Sequence, residues 1–267
     1  AYQGKANFSG SRYQDEAHFY FSTYQEADFS GATYQAPTDF SYSTYRGAAD
    51  FRRSAYQAGA DFCGSEYREW VTFSGSTYQR WANFDNSIYG SWADFSKSTY
   101  QRNADYSESI HQGWVNLSGS TYEGVAAFNG SIFDDKIYFS EDIDGSCSSR
   151  FTQCTPTFYD ETNHHNTLFG SHNNNFTVEN GRGYPVYRGF EGLPLGCDFL
   201  TAEQKEYLAD KFQEIEKIQN KLLEVKDLKE KAELSKNLQA LNEKLYEWRE
   251  EATTVKGEDA APGEQDN

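Results

Sequence analysis

Three histidines, His164, His165 and His172, share an Asn-rich loop with Cys154 and Asp160, and imidazole, thiolate and carboxylate are the donors a divalent metal takes. Their spacing matches no zinc pattern, and adjacent loop histidines seldom converge on one ion, so a solvated polar loop is expected. A second set is acidic: Asp28, Asp39, Asp50, Asp61, Asp94 and Asp105, with Asn7, Asn83 and Asn116 at equivalent positions. Such side chains can present a ladder of charge or bind neighbouring backbone at a turn, and the local use is the stronger expectation. Arg46, Arg52, Arg53, Arg68, Arg80, Lys97 and Arg102 lie among these acids. A third set alternates Thr23, Thr33, Thr44, Thr77, Thr99 and Thr121 with Gln14, Gln25, Gln35, Gln57, Gln79 and Gln101. A flat threonine face can match an ice or carbohydrate lattice, but Arg12, Arg46, Arg68, Ile88, Ile110 and Glu123 interrupt it, which favours a plain solvated sheet surface. No nucleophile elbow, phosphate loop, paired-histidine motif or isolated acid pair occurs. No catalytic residue, cofactor or metal ligand is therefore assigned, and no enzyme activity is expected.

The elements that would position these sets follow from the aromatics. Phe8, Phe19, Phe29, Phe40, Phe51, Phe62, Phe73, Phe84, Phe95, Tyr106, Leu117 and Phe128 recur every 11 residues, with a single 10 between Phe19 and Phe29. Tyr13, Tyr24, Tyr34, Tyr45, Tyr56, Tyr67, Tyr78, Tyr89, Tyr100, His111, Tyr122 and Phe133 follow five residues after a member of the first series. Two residues before the first aromatic stands a small or β-branched residue, and two before the second stands serine almost throughout. This period matches no helical stripe, and the alternation is too short for an ordinary strand. What remains is a solenoid of very short extended segments, each pointing its small residue and its ring inward and the residue between them outward. One coil cannot bury its rings alone; stacking the next coil does so.

Runs such as "ADFSG" at Ala27, "ANFSG" at Ala6 and "VNLSG" at Val115 resemble the pentapeptide-repeat family, in a phenylalanine-rich, five-plus-six variant. The resemblance implies a right-handed quadrilateral β-helix over residues 1–140. Two units would then fill one coil and give a rod on the order of 30 Å long; one unit per turn would double that length. The first arrangement is preferred, because both aromatic series obey the same inward rule. The tyrosines either face in, with the serine ladder serving their hydroxyls, or face out. Some pentapeptide-repeat proteins mimic the charge of duplex DNA and occupy a topoisomerase, so the resemblance also supplies that activity as an alternative.

Residues 141–199 lose the period but keep spaced aromatics, which reads as an irregular cap over the last coil. Residues 200–253 read as a coiled-coil helix or helical hairpin, opened by a Thr201/Gln204 capping box. Leu208, Phe212, Ile215, Ile218, Leu222 and Val225 form one apolar stripe, and Leu234, Leu238, Leu241, Leu245 and Trp248 a second, out of phase across Lys226 to Glu233. A straight helix would carry a stutter there and a helical hairpin would fold the stripes together; either form wants a partner. Residues 254–267 read as a disordered acidic tail.

A net charge of -17 disfavours direct contact with nucleic acid or anionic lipid, and no run is long and apolar enough to span a membrane. The opening "AYQGK" reads as the tail of a repeat, so the chain is expected to begin inside a longer protein or after processing. Cys147 and Cys154 are near enough for a local bridge, and unpaired thiols are the equal alternative. The expected protein is mainly β: a non-enzymatic scaffold or protein–protein interaction module. Its C-terminal helical segment is expected to engage a protein partner, itself or another chain, as a homo-oligomer or a component of a larger assembly. The alternatives are a DNA-mimicking acidic rod acting on a nucleic-acid enzyme and a lattice-binding surface protein.

Overall fold

A computed structural model describes residues 2–141, 147–179, 181 and 183–255, with side chains from residue 4 onward. Most of the acidic tail expected at the C-terminus, from 256 on, lies outside these residues.

The rod is a parallel β-solenoid with four stacks of strands, nearly all two residues long. Neighbours in a stack are one coil apart, and a coil is 22 residues: Ala60 pairs with Ala82, Val71 with Ala93, Thr77 with Thr99, Ile88 with Ile110. Two sides therefore carry the Phe half of the unit and two carry the Tyr half. The first Phe side runs through Ala49–Asp50, Val71–Thr72 and Ala93–Asp94; the second through Thr38–Asp39, Ala60–Asp61, Ala82–Asn83 and Ala104–Asp105. One Tyr side runs through Thr33–Tyr34, Ala55–Tyr56, Thr77–Tyr78, Thr99–Tyr100 and Thr121–Tyr122, the other through Thr44–Tyr45, Glu66–Tyr67, Ile88–Tyr89, Ile110–His111 and Ile132–Phe133. The lone 10-residue step has a visible effect. It removes a corner residue, and Thr23–Asp28 runs on as one six-residue strand that joins a Tyr side to the first Phe side.

Rings of successive coils pile into columns. Phe29, Phe51, Phe73 and Phe95 stack with centroids 5.1, 4.9 and 5.0 Å apart. Phe40, Phe62, Phe84 and Tyr106 stack at 5.0, 5.1 and 5.1 Å. These two columns meet edge to face in the middle, Phe62 on Phe73 at 5.0 Å and 77°. From Phe29 to Phe128 the series is buried, Tyr106 and Leu117 included; Phe8 and Phe19, at the first coil, are only partly covered. The small residue beside each ring gives the column its width, since Ala60, Ala82, Ala93 and Ala104 are equally buried.

The tyrosines face in. Tyr34, Tyr56, Tyr78, Tyr100 and Tyr122 form one column and Tyr45, Tyr67, Tyr89, His111 and Phe133 the other. The serines, however, serve the backbone rather than the phenols. Ser76 Oγ donates to the carbonyl of Phe51 and accepts from the N–H of Ser54, and the same two bonds recur at Ser43, Ser65, Ser87, Ser98 and Ser109. A compact hydroxyl tucked at a corner reaches main-chain groups of the coil before it more easily than a phenol tip at the rod's centre. Among the described residues the hydroxyls of Tyr45, Tyr67, Tyr78 and Tyr89 have no partner in good hydrogen-bond geometry, and burial, only partly offset by the adjacent Ser43, Ser65, Ser76 and Ser87, pushes those phenols well above their ordinary pKa.

The coil outlasts the period. The segment from 147 to 199, read from sequence as an irregular cap, lays strands on the Tyr sides at Arg150–Phe151, Leu168–Phe169 and Asp198–Phe199, and bridges the Phe sides at Thr157 and Asn175. Phe151 stacks on Tyr122, Phe158 on Phe128 and Phe169 on Phe133, so the aromatic columns continue. Loops inserted between these strands erase the spacing without ending the winding.

The C-terminal segment is a helical hairpin. α1, Ala202–Glu224, starts with the reciprocal Thr201/Gln204 box: Thr201 Oγ1 accepts from the Gln204 N–H, and Gln204 Oε1 accepts from the Thr201 N–H. α2, Leu228–Thr253, is capped by Asp227, whose Oδ1 accepts from the N–H groups of Lys229 and Glu230 at 2.9 Å each. Extended backbone at Val225 and Asp227 ends one helix and starts the next, so the phase slip is a turn and not a stutter. Among the described residues, no helix is long and apolar enough to cross a membrane.

Candidate interaction surfaces

Outward residues on the four sides are those between each small residue and its ring, plus the one after the ring. Because the coil is 22 residues, alternate units share a side and the positions sort by parity. On one Tyr side the column reads Thr44, Glu66, Ile88, Ile110, Ile132, Leu168. The hairpin lies on it: Ile88, Ile110, Ile132 and Leu168 share one buried cluster with Leu208, Phe212, Ile215, Leu222, Leu238, Leu241 and Leu245, with Ile218, Leu234 and Trp248 packed against it. The stripes expected to bind a separate partner are thus met within the chain, helix on helix and both on the solenoid. Val225 is half-buried at the turn. Edge contacts complete the clamp: Arg249 pairs with Glu108 at 3.2 Å, Lys205 Nζ donates to the Gly170 carbonyl at 2.6 Å, and the Val255 N–H donates to the His164 carbonyl at 2.8 Å. Glu108 holds a left-handed φ of 57° in a column that elsewhere carries Gly64 and Gly130, and its carboxylate reaches Arg249 from there.

Under α1 a groove of about 420 Å³ is lined by Glu66, Arg68, Glu69, Gln213 and Glu216. Arg68 Nε and Nη2 donate to the two carboxylate oxygens of Glu66 at 3.1 and 3.3 Å, which neutralises the pair. Arg46, one coil away, is held below its usual pKa by burial and by Arg68. Among the described residues only Glu66 and Arg68 are paired in the groove, and Glu69 and Glu216 leave it acidic; lying between α1 and the solenoid, it reads as a seam of the clamp.

Acids and bases that intermingle in the sequence separate on the rod. Arg46 and Arg68 are on the covered Tyr side, and Arg52 pairs with Asp50 at 3.0 Å on the first Phe side. The second Phe side presents Asp39, Asp61, Asp85 and Asp105, with Glu108 at its edge, and between Ala17 and Gly130 its strands and the turns after its rings contain no Lys or Arg. Burial and the neighbours Asp105, Asp61 and Glu108 push the Asp85 carboxyl up to about 6. The ladder acids also hold their own turns together. Asp39, Asp61 and Asp105 accept the backbone N–H two residues ahead, as do Asp28, Asp50, Asp94, Asn83 and Asn116 in their own turns, all at 2.9 to 3.2 Å.

No protein-family profile, curated protein or solved structure matches this chain.

The remaining Tyr side is open. Its outward columns are Thr33, Ala55, Thr77, Thr99 and Thr121, and beside them Gln35, Gln57, Gln79 and Gln101; every one of these is partly or fully exposed to solvent. Of the residues that interrupt the threonine pattern in sequence, Arg46, Arg68, Ile88 and Ile110 fall on the covered side, while Arg12 and Glu123 bound the open one.

The histidine loop does not gather. His172 packs on Phe199 with centroids 4.1 Å apart, His165 sits in a short antiparallel pair opposite Asp160, and His164 Nδ1 is 3.4 Å from the Tyr159 hydroxyl. Among the described residues, no three His, Cys, Asp or Glu side chains converge as a metal requires. All four cysteines are free thiols, and burial pushes Cys63 and Cys197 up to about 12.

His111 was legible only as a departure from Tyr. It is buried between Tyr89 and Phe133, at 4.4 and 4.6 Å, with neither ring nitrogen hydrogen-bonded among the described residues, and burial lowers its pKa to about 3. The folded state therefore stays neutral while the unfolded chain, near the ordinary 6.5, takes up a proton. Stability is unaffected above pH 6.5 and is lost as pH falls from there toward 3, by about 1.4 kcal/mol per pH unit. His111→Phe, which extends the column with the residue already at 133, removes that loss. In denaturant titrations the variant should gain on wild type by about 2 kcal/mol more at about pH 5 than at about pH 7.5; an equal gain at both would mean His111 stays protonable in the fold.

Proposed function

We propose that this chain is a rigid, non-enzymatic scaffold, a phenylalanine-rich relative of the pentapeptide-repeat proteins whose sides present surface at fixed intervals. The observation that carries the reading is the stacking of rings from coil to coil, in one column continued through Phe158 and in another through Phe169 beyond the sequence period, which stiffens the rod. The four-stack winding and the inward small-residue and ring pairs support the family likeness. The helical hairpin acts as a clamp over Ile88, Ile110 and Ile132, and protein partners attach through the solenoid sides or the outer surface of the helices.

Cross-linking in material from the natural source, followed by mapping of the linked peptides, tests this. A scaffold gives neighbours on the solenoid sides that persist when the hairpin is released by Ile110→Arg. Neighbours lost with the hairpin would make it the assembly arm, and finding no stable neighbour would end the scaffold reading.

A second reading has one observation in its favour. The acidic side, whose strands and following turns hold no Lys or Arg between Ala17 and Gly130 and carry Asp61 and Asp105 in one column, is the surface a DNA mimic would offer to a topoisomerase. Its test is inhibition of supercoiling that weakens with added salt and disappears when Asp61, Asp85 and Asp105 are changed to Asn.

A further inference from the structure

The open Tyr side and the acidic Phe side are consecutive sides of every coil, and their charges are complementary. Between Ser30 and Tyr122 the open side and its two bordering corners contain Arg52, Arg53, Arg80, Lys97 and Arg102 and no acid, in a chain with 41 acids and 24 bases. Arg52 is tied to Asp50, whereas Arg53, Arg80, Lys97 and Arg102 are exposed and make no ion pair among the described residues. Two of the four are held at a backbone cost: Arg53 and Lys97 have φ of 55° and 58° at a corner where the intervening and following coils carry Gly75 and Gly119. Those glycines leave room for the charged stems, since Arg53 Cγ lies 3.5 Å from the Cβ position of Gly75 and Lys97 Cγ 3.4 Å from that of Gly119.

The two charge sets share one ruler. Arg53 and Lys97 are 44 residues apart, and so are Asp61 and Asp105; 44 is two coils of 22, a rise of about 9.6 Å at the strand-to-strand spacing. Asp85, crowded by Asp61 and Asp105 on its own side, has no cation of its own face to meet. A surface with the same repeat and the opposite sign is what this face lacks, and the neighbouring side of the same molecule is such a surface.

We infer that the open Tyr side of one chain docks on the acidic Phe side of a second copy, joining rods laterally with Arg53, Arg80, Lys97 and Arg102 facing Asp61, Asp85 and Asp105. The proposal rests on the scaffold reading and names one of its partners. The contact is heterologous, so a docked pair still has one unused side of each kind and association continues into rings or arrays. The threonine and glutamine columns lie between the basic borders, where they add hydrogen bonds without charge. Exposed ion pairs are individually weak, which places the expected Kd near about 1 mM and makes the association matter where chains are held close together.

Light scattering on the full purified chain, up to about 1 mM, is the test. At about 0.1 M salt, where screening acts over ~10 Å, wild type should exceed the monomer mass, and at about 1 M it should not. A basic-side variant carries Arg53→Gly, Lys97→Gly, Arg80→Glu and Arg102→Glu; glycine suits the left-handed corner, so the fold is spared. An acidic-side variant carries Asp61→Asn, Asp85→Asn and Asp105→Asn, and asparagine keeps the backbone bonds as Asn83 does. Each variant alone should be monomeric, with unchanged circular dichroism. Mixed in equal amounts they retain one intact pair of sides and should form a one-to-one dimer and nothing larger. A monomeric wild type, association that survives about 1 M salt, or a mixture that stays monomeric overturns the inference. Because purified chain alone is used, such a failure leaves the source cross-linking test of the scaffold untouched.

Discussion

Replacing Ile110 by Arg should release the helical hairpin while leaving the coils wound. Ile110 is fully buried between Ile88 and Ile132, under the apolar faces of α1 and α2. The change removes about 1.5–3 kcal/mol of apolar burial and asks the seam to hold an unpaired cation, which costs several kcal/mol more. Lifting the helices off is the cheaper response, because the side chain projects outward and the ring columns behind it keep all their contacts. Hydrogen exchange resolves the outcome. Amides of α2 and the last turn of α1 should lose protection by a factor of roughly 100 or more, about 3 kcal/mol, while the coil-to-coil bonds at Ser76, Thr77 and Ser98 stay slow. Loss of both sets together would mean that hairpin and solenoid fold as one unit.

Phe73→Ala should be among the most damaging core truncations, at about 3–5 kcal/mol. Phe73 is fully buried and touches five rings, Phe51 and Phe95 along its column and Phe62 and Phe84 across the centre at 4.9 to 5.0 Å, and Tyr67 edge to face at 5.9 Å. The gap lies at mid-rod, where coils on either side stabilise each other only through neighbours, so coupling between the halves weakens as well. Phe8→Ala, in a half-covered ring of the first coil, should cost less than half as much. Denaturant titrations check both, and a reduced slope for Phe73→Ala would register the uncoupling. Equal losses at the two positions would contradict a column that is dry in the middle and open at its first coil.

Several features were legible because they depend only on near neighbours. Alternation of Ala49 and Phe51 about Asp50 places two side chains inward and one outward whatever surrounds them. Asp61 binding the backbone two residues on, and Thr201 with Gln204 opening a helix, are equally local. The break at Asp227 is not read from the sequence, where the phase of the apolar stripes fits a stutter as well as a turn; the structure shows it as the cap of α2.

Other features needed the coil to close. Ile88 and Ile110 look like blemishes in a threonine ladder of period 11 and become one wall of a buried seam at period 22. The same doubling separates Arg80 from Asp61 and turns a mixed charge pattern into one basic and one acidic side. Phe158 and Phe169 extend the columns although loops have destroyed their spacing, because stacking constrains where a ring ends up and not how many residues precede it.

The amino-acid order alone therefore determined that the Phe-series rings face inward and that short strands wind, since sterics and alternation act within five or six residues; the direction of the tyrosines it left open. Which units share a side, what covers the isoleucines and where the helices find their partner were settled only in three dimensions, because each depends on contacts between residues 22 or more than 100 positions apart.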